Sequence, residues 1–74
     1  MATNIGKVDA EQLEKNVQKI VASIQDGSMS LVYAVDNRLR EIDNLRRMKQ
    51  TVGNVTRQEY VWRELQRLLE VLGA

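Results

Sequence analysis

Residues 30–52, SLVYAVDNRLREIDNLRRMKQTV, form the longest uninterrupted helical pattern in the chain. On a helical wheel of 100° per residue, five of its apolar side chains fall within an arc of roughly 100°, which predicts one buried face. A second apolar line runs about 100° to the side of the first. It lies either against another helix of the same bundle or on a surface for self-association or a partner. Because it has two faces, we expect this central helix to be the hub of the fold. The first face comprises Leu31, Val32, Val35, Leu39 and Ile42, and the second comprises Leu45, Met48 and Val52.

Paired stop and start signals predict a further helix on each side. Asp9 is a good N-cap for a first helix, which the turn signal Asp-Gly-Ser at residues 26–28 closes. We expect the central helix to end at Gly53, the natural C′ residue, and a third helix to open at the capping box of Thr56 and Glu59. Trp62 is either a core anchor or, if exposed, an interface hot spot. The apolar face of the first helix comprises Leu13, Val17, Ile20, Val21 and Ile24, and that of the third comprises Val61, Trp62, Leu65, Leu68, Leu69 and Leu72.

These patterns predict an all-α fold, either a small three-helix bundle or an extended helical hairpin with a third helix. Residues 1–8 carry no periodic pattern, so we expect a flexible N-terminal tail followed by a single helical domain over residues 9–73. A chain of 74 residues buries only about 60% of its unfolded surface. Small domains often complete such a core by oligomerising, so a homo-oligomer is one expectation.

Composition argues against an enzyme. The chain has no histidine and no cysteine, which removes the commonest general base, the commonest metal ligand and any disulfide framework. Its serines lie at or near helix ends, where capping explains them. We therefore expect no catalytic residue, no cofactor and no metal site.

Charge and hydropathy bound the location and the partners. Eleven Lys and Arg against ten Asp and Glu give a net charge of +1, whereas a dedicated nucleic-acid binder usually shows a strong basic excess. No apolar run approaches the roughly 20 residues needed to cross a bilayer, and the start does not resemble a signal peptide. A cytoplasmic protein of bacterial or phage origin is the expectation.

The sequence thus favours a non-enzymatic protein–protein interaction module that binds through apolar helix faces, such as a small adaptor, regulator, inhibitor or co-chaperone. Its partner is expected to be another protein, helical or acidic, or a second copy of the chain. The alternative is a nucleic-acid-associated or nucleoid-type transcriptional modulator that uses the basic strip from Arg38 to Lys49. The expected partner-binding residues are Leu45, Met48 and Val52 together with the flanking Arg46, Arg47 and Lys49.

Two short stretches resemble known families of helical interaction proteins. AVDNRLREI at residues 34–42 resembles the A-x-D-x-R-x-x-E-L stretch of the Hha/YmoA nucleoid modulators, with Ile42 in the place of the final leucine. That resemblance implies binding to the oligomerisation domain of a nucleoid-silencing protein. Gly53 followed by QEY at residues 58–60 is similar to the second half of the needle co-chaperones of type III secretion, which are helical hairpins.

Overall fold

The computed structural model describes residues 9–73, which form three helices joined by short turns. These are α1 (Ala10–Gln25), α2 (Leu31–Arg47) and α3 (Val52–Val71). The described residues contain no strand. The expected all-α fold of three helices is therefore confirmed. The expected flexible tail, residues 1–8, lies outside the described residues.

The first break follows the signals in the sequence. The Asp9 side chain accepts a hydrogen bond from the Gln12 backbone N–H at 3.1 Å and so caps the start of α1. At the other end Gly27 adopts φ +87°, and the Ser28 N–H bonds back to the Ser23 carbonyl at 3.0 Å. This is a Schellman ending, in which the left-handed residue is favourably glycine because a Cβ would be strained there.

The second break lies earlier than expected, because α2 ends at Arg47 rather than at Gly53. The Gln50 side-chain amide reaches back to the free end of α2 and donates to the carbonyls of Leu45, Arg46 and Met48 at 2.6–3.2 Å. A helix C-terminus leaves its last carbonyls without a regular intrahelical partner, and here only that of Leu45 also accepts a backbone bond, from the Met48 N–H at 3.2 Å. A side-chain cap from Gln50 thus ends the helix where no glycine marks it.

The start of α3 corrects the expected capping box. Thr51, not Thr56, is the N-cap, and its side chain accepts from the Asn54 N–H at 3.1 Å. Thr56 already lies inside the helix and donates to the Val52 carbonyl at 2.7 Å. Gly53 falls in the first turn of α3, so it begins a helix instead of ending one. Two competent threonine caps stand five residues apart, and the earlier one is used.

The hub is α3, so the expectation that the central helix holds the fold together is wrong. Both α1 and α2 pack along α3, whereas α1 and α2 barely meet each other. The main core lies between α1 and the second half of α3, with Ala34 as the only contribution from α2. It comprises the buried residues Leu13, Val17, Ile20, Val21, Ala34 and Leu68, with Ile24, Met29, Tyr60, Val71 and Leu72 packed against them.

The first apolar face of α2 is also not the buried face that its pattern predicts. Val32 is 78% exposed and Leu39 is 47% exposed, whereas Ala34 is the one fully buried residue of α2. The side of α2 that faces α3 is that of the buried Ala34, on the same line as Leu45, and it includes Arg38. A polar contact of Arg38, described below, sets this rotation, and a pattern of apolar residues alone does not reveal it.

Candidate protein-interaction surface

Two ion pairs fix how α2 and α3 lie against each other. Arg38 Nε donates to Glu64 Oε1 at 3.0 Å, and Arg57 Nε donates to Glu41 Oε2 at 2.8 Å. The residue numbers rise along one helix as they fall along the other, so the helices form an antiparallel hairpin. The hydrogen bond from Arg57 to Glu41 also raises the pKa of the guanidinium above its ordinary value.

Glu64 is the one buried charged residue among those described. A buried carboxylate is costly unless it is paired, and the guanidinium of Arg38 supplies the partner. No buried side-chain N or O atom in the described chain lacks a hydrogen bond. Glu64 is not among the functional residues expected from the sequence. Its position, three residues after Val61 and four before Leu68, is the signal that places it on the buried side of the helix.

The basic strip from Arg38 to Lys49 is largely neutralised. Arg38 is held inside the hairpin, Arg40 pairs with Asp36 at 2.8 Å, and Arg47 pairs with Asp43 at 3.1 Å. Arg46 is the only arginine of residues 9–73 with no carboxylate within 4.0 Å. The strip therefore presents isolated cations at one end rather than a continuous row.

The expected partner-binding residues do not share one helix face. Leu45 is half-buried near the end of α2, Met48 caps that helix, and Val52 is the first residue of α3. Met48 is 52% exposed and Val52 is 61% exposed, so both lie open beside the turn. Arg46 and Lys49 are exposed next to them, and Arg47 is engaged with its own helix as described above.

A larger apolar surface runs along the hairpin, and we call it the open face. Leu39 and Trp62 are each close to half exposed, at 47% and 48%. The antiparallel register brings these two to nearly the same level and Val32 to the level of Leu69. Val32 and Leu39 on α2 are seven residues apart, and so are Val55, Trp62 and Leu69 on α3. Seven is the spacing of a coiled-coil seam. The open face consists of Val32, Val35 and Leu39 on α2 and of Val55, Trp62 and Leu69 on α3.

The first helix does not cover the open face. α1 contacts α3 through a hydrogen bond between Asn16 and the Tyr60 hydroxyl and through an ion pair of Arg67 with Glu14 at 2.9 Å. At 100° per residue, Tyr60 lies about 160° around α3 from Trp62. The hydrogen bonds that Glu14 accepts from Arg67, and secondarily from Gln18, lower the pKa of its carboxyl. α1 and the open face therefore occupy opposite sides of α3.

The rim of the open face is close to electrically neutral. Three acidic residues lie beside the apolar lines of α2 and α3, namely Asp36, Asp43 and Glu59. Each pairs with the arginine four residues later, at 2.8–3.1 Å. Such exposed pairs contribute little to stability, with a median of about 0–1 kcal/mol. Their effect is to leave an apolar surface with no strong field of either sign.

Other kinds of site have little support. The cavity of about 260 Å³ beside the start of α1 is smaller than the roughly 300–1,000 Å³ of typical ligand pockets. Its arginines, Arg63 and Arg67, are already paired with carboxylates. Residues 9–73 contain no cluster of three acidic side chains placed to hold a metal ion. None of the described helices combines the length and the apolar character that a membrane span requires.

Comparison of the chain with models of known families, with curated proteins and with solved structures finds no match. The two resemblances noted in the sequence therefore gain no support from these comparisons.

Proposed function

We propose that the protein is a non-enzymatic interaction module that binds another protein through the open face of its α2–α3 hairpin. The observation that supports this most directly is the half-exposed Trp62 at the centre of an apolar surface. Tryptophan is enriched among the residues that contribute most to binding, and these lie near the centre of an interface. A contiguous exposed apolar surface of this kind ordinarily marks a contact site.

The partner-binding residues expected from the sequence lie at one end of the open face. Arg46 follows Val32 and Leu39 at the same spacing of seven, so it extends the α2 line beyond its apolar part. Lys49, Met48 and the start of α3 lie at the same end. An unpaired arginine beside an apolar surface sets the orientation of a partner more than it adds affinity. Arg46 thus favours an acidic group on the partner at this end.

Site-specific photocrosslinking in the native host tests the proposal. A photoreactive amino acid replaces Trp62 in one variant and Tyr33 in a matched control, because Tyr33 is an exposed aromatic residue of α2 outside the open face. We expect a discrete adduct, with any protein, from position 62 and none from position 33. Equal labelling from both positions, or no adduct from position 62, would contradict the proposal.

A further inference from the structure

We infer that the open face binds a second copy of the same chain, so that two α2–α3 hairpins form an antiparallel four-helix bundle. This inference rests on the proposed function, because it names the partner of the same surface. The two-fold axis runs across the helices, near the level of Leu39 and Trp62, so that α2 faces α2 of the second copy and α3 faces α3.

The first argument is the geometry of the two helix lines. On α2, Val32, Val35, Leu39 and Ile42 alternate by three and four residues, and on α3 the exposed Val55, Trp62 and Leu69 are spaced by seven. Both spacings belong to the heptad pattern of knobs-into-holes packing. A partner that binds as a single helix would need only one apolar line on this protein. The open face has two antiparallel lines at matched levels, which fit a partner that also presents two helices, as in a four-helix bundle.

The second argument is the small core. Residues 9–73 bury eight apolar residues to 8% exposure or less but leave nine large ones more than a third exposed. Small chains often complete such cores by oligomerising, and five of the nine exposed residues belong to the open face. A net charge of +1 offers little electrostatic opposition to self-association.

The charges near the α2–α3 turn determine the direction of the two-fold axis. The α2–α3 turn carries Arg46 and Lys49, neither of which has a carboxylate within 4.0 Å among the described residues. An axis along the helices would bring both turns, with their four cations, to the same end of the dimer. An axis across them places the two turns at opposite ends of the dimer and so keeps their cations apart. Since like charges placed together are unfavourable, we infer the axis across the helices.

Solution mass and tryptophan emission test the inference on the full chain. We expect sedimentation equilibrium between about 5 and 500 μM to give twice the 8.5 kDa chain mass at the upper concentrations, since weak small interfaces have micromolar affinities. Trp62 is the only tryptophan, so its emission should shift to shorter wavelength as the dimer forms. A monomer throughout this range overturns the inference. If position 62 then crosslinks a different protein in the host, the proposed function still stands.

Matched variants locate the interface. Leu39→Asp should give a monomer with unchanged helical circular dichroism, whereas Tyr33→Asp, an equally exposed change on the same helix, should remain a dimer. Equal loss of dimer in the Leu39 and Tyr33 variants overturns the assignment of the surface.

Crosslinking tests the axis without relying on a destabilising change. Because the chain has no cysteine, Leu39→Cys introduces a single reactive thiol. A short bis-maleimide should join two Leu39→Cys copies into a covalent dimer, since both thiols lie close to the axis. Tyr33→Cys should not be joined. A mixture of the Val32→Cys and Arg46→Cys variants should give a higher yield of crosslinked dimer than Arg46→Cys alone. A higher yield from Arg46→Cys alone overturns the axis across the helices.

Discussion

Val61 and Trp62 are neighbours in the sequence, yet Val61 has no accessible surface and Trp62 is 48% exposed. The same division separates Leu68, fully buried, from Leu69. The buried members belong to what we call the closed face of α3, formed by Val61, Leu65 and Leu68. A single helix thus carries an apolar arc wider than two neighbours can cover, and the uncovered part faces away from α1.

The largest expected effect separates the two faces directly. Leu68→Asp should unfold the domain, because it places an unpaired charge in the core, whereas Leu69→Asp should leave it folded. Circular dichroism and urea titration of both variants measure the difference. Leu65→Asp should behave like Leu68→Asp. The first apolar face of α2 suggests the same outcome for Leu39→Asp, but the 47% exposure of Leu39 reverses that expectation. Unfolding of the Leu69 and Leu39 variants would remove the distinction between the faces.

The next effect compares an ion pair between α2 and α3 with one on the rim of the open face. The Arg38 side chain is only 17% exposed beside Glu64, so Glu64→Ala should cost about 3 kcal/mol of unfolding free energy by leaving that guanidinium unpaired. Asp36→Ala, which removes the partner of Arg40 at the surface, should cost less than about 1 kcal/mol. Urea unfolding gives both values.

A double replacement is the control for that pair. Arg38→Met with Glu64→Leu removes both charges and should recover most of the loss, because well-packed apolar residues often replace a buried pair without net cost. Similar losses from Glu64→Ala and Asp36→Ala would show that burial does not distinguish the two pairs.

A smaller effect concerns the turn that delivers α1 to its place beside α3. Gly27→Ala forces an L-residue to φ +87° and should cost about 1 kcal/mol. Gly53→Ala is the matched change in the first helical turn of α3, where a Cβ would meet only the Thr51 hydroxyl oxygen at 3.9 Å. It should stabilise the domain by about 0.4–1 kcal/mol through the unfolded chain. Thermal melts measure both, and shifts of the same sign would contradict the different roles of the two glycines.

The smallest effect is a pH dependence at the edge of the α1–α3 contact. Arg67 lowers the pKa of the Glu14 carboxyl below its ordinary value of 4.5. A lowered folded-state pKa stabilises the folded chain above the unfolded-state value, and this contribution is lost as pH falls through the folded-state pKa. The wild-type melting temperature should therefore drop slightly more than that of Glu14→Gln on acidification below about pH 4.5. Parallel curves would show that the contact contributes nothing measurable.

The fold class and the first turn could be predicted from the sequence because their signals are local. Asp9 and Gly27 act through their own backbone neighbourhood, and the apolar spacing of α1 matches its buried residues. The rotation of α2 could not be predicted in this way. It depends on Arg38 meeting Glu64, 26 residues away, and a pattern of apolar residues does not show such a contact.

Which residues contact a partner stays a prediction. On α2 the uncovered side is that of Leu39, which the apolar pattern assigns to the buried face, whereas Leu45 is half-buried. Met48 is exposed, but it lies past the last residue of α2. The end of α2 also differs from the prediction, because Gln50 caps the helix through side-chain hydrogen bonds. No common stop signal in the sequence marks such a cap.

Since α3 holds the fold together and comes last of the three helices, the order of synthesis matters. While a ribosome adds its 20 residues, at roughly 5–20 residues per second, α1 and α2 wait about 1–4 s without their packing partner. Helical domains with local contacts fold in microseconds to milliseconds, so translation rather than folding sets this delay. The nascent chain displays unpacked apolar helix surface until α3 emerges, and that interval is when chaperones have access to it.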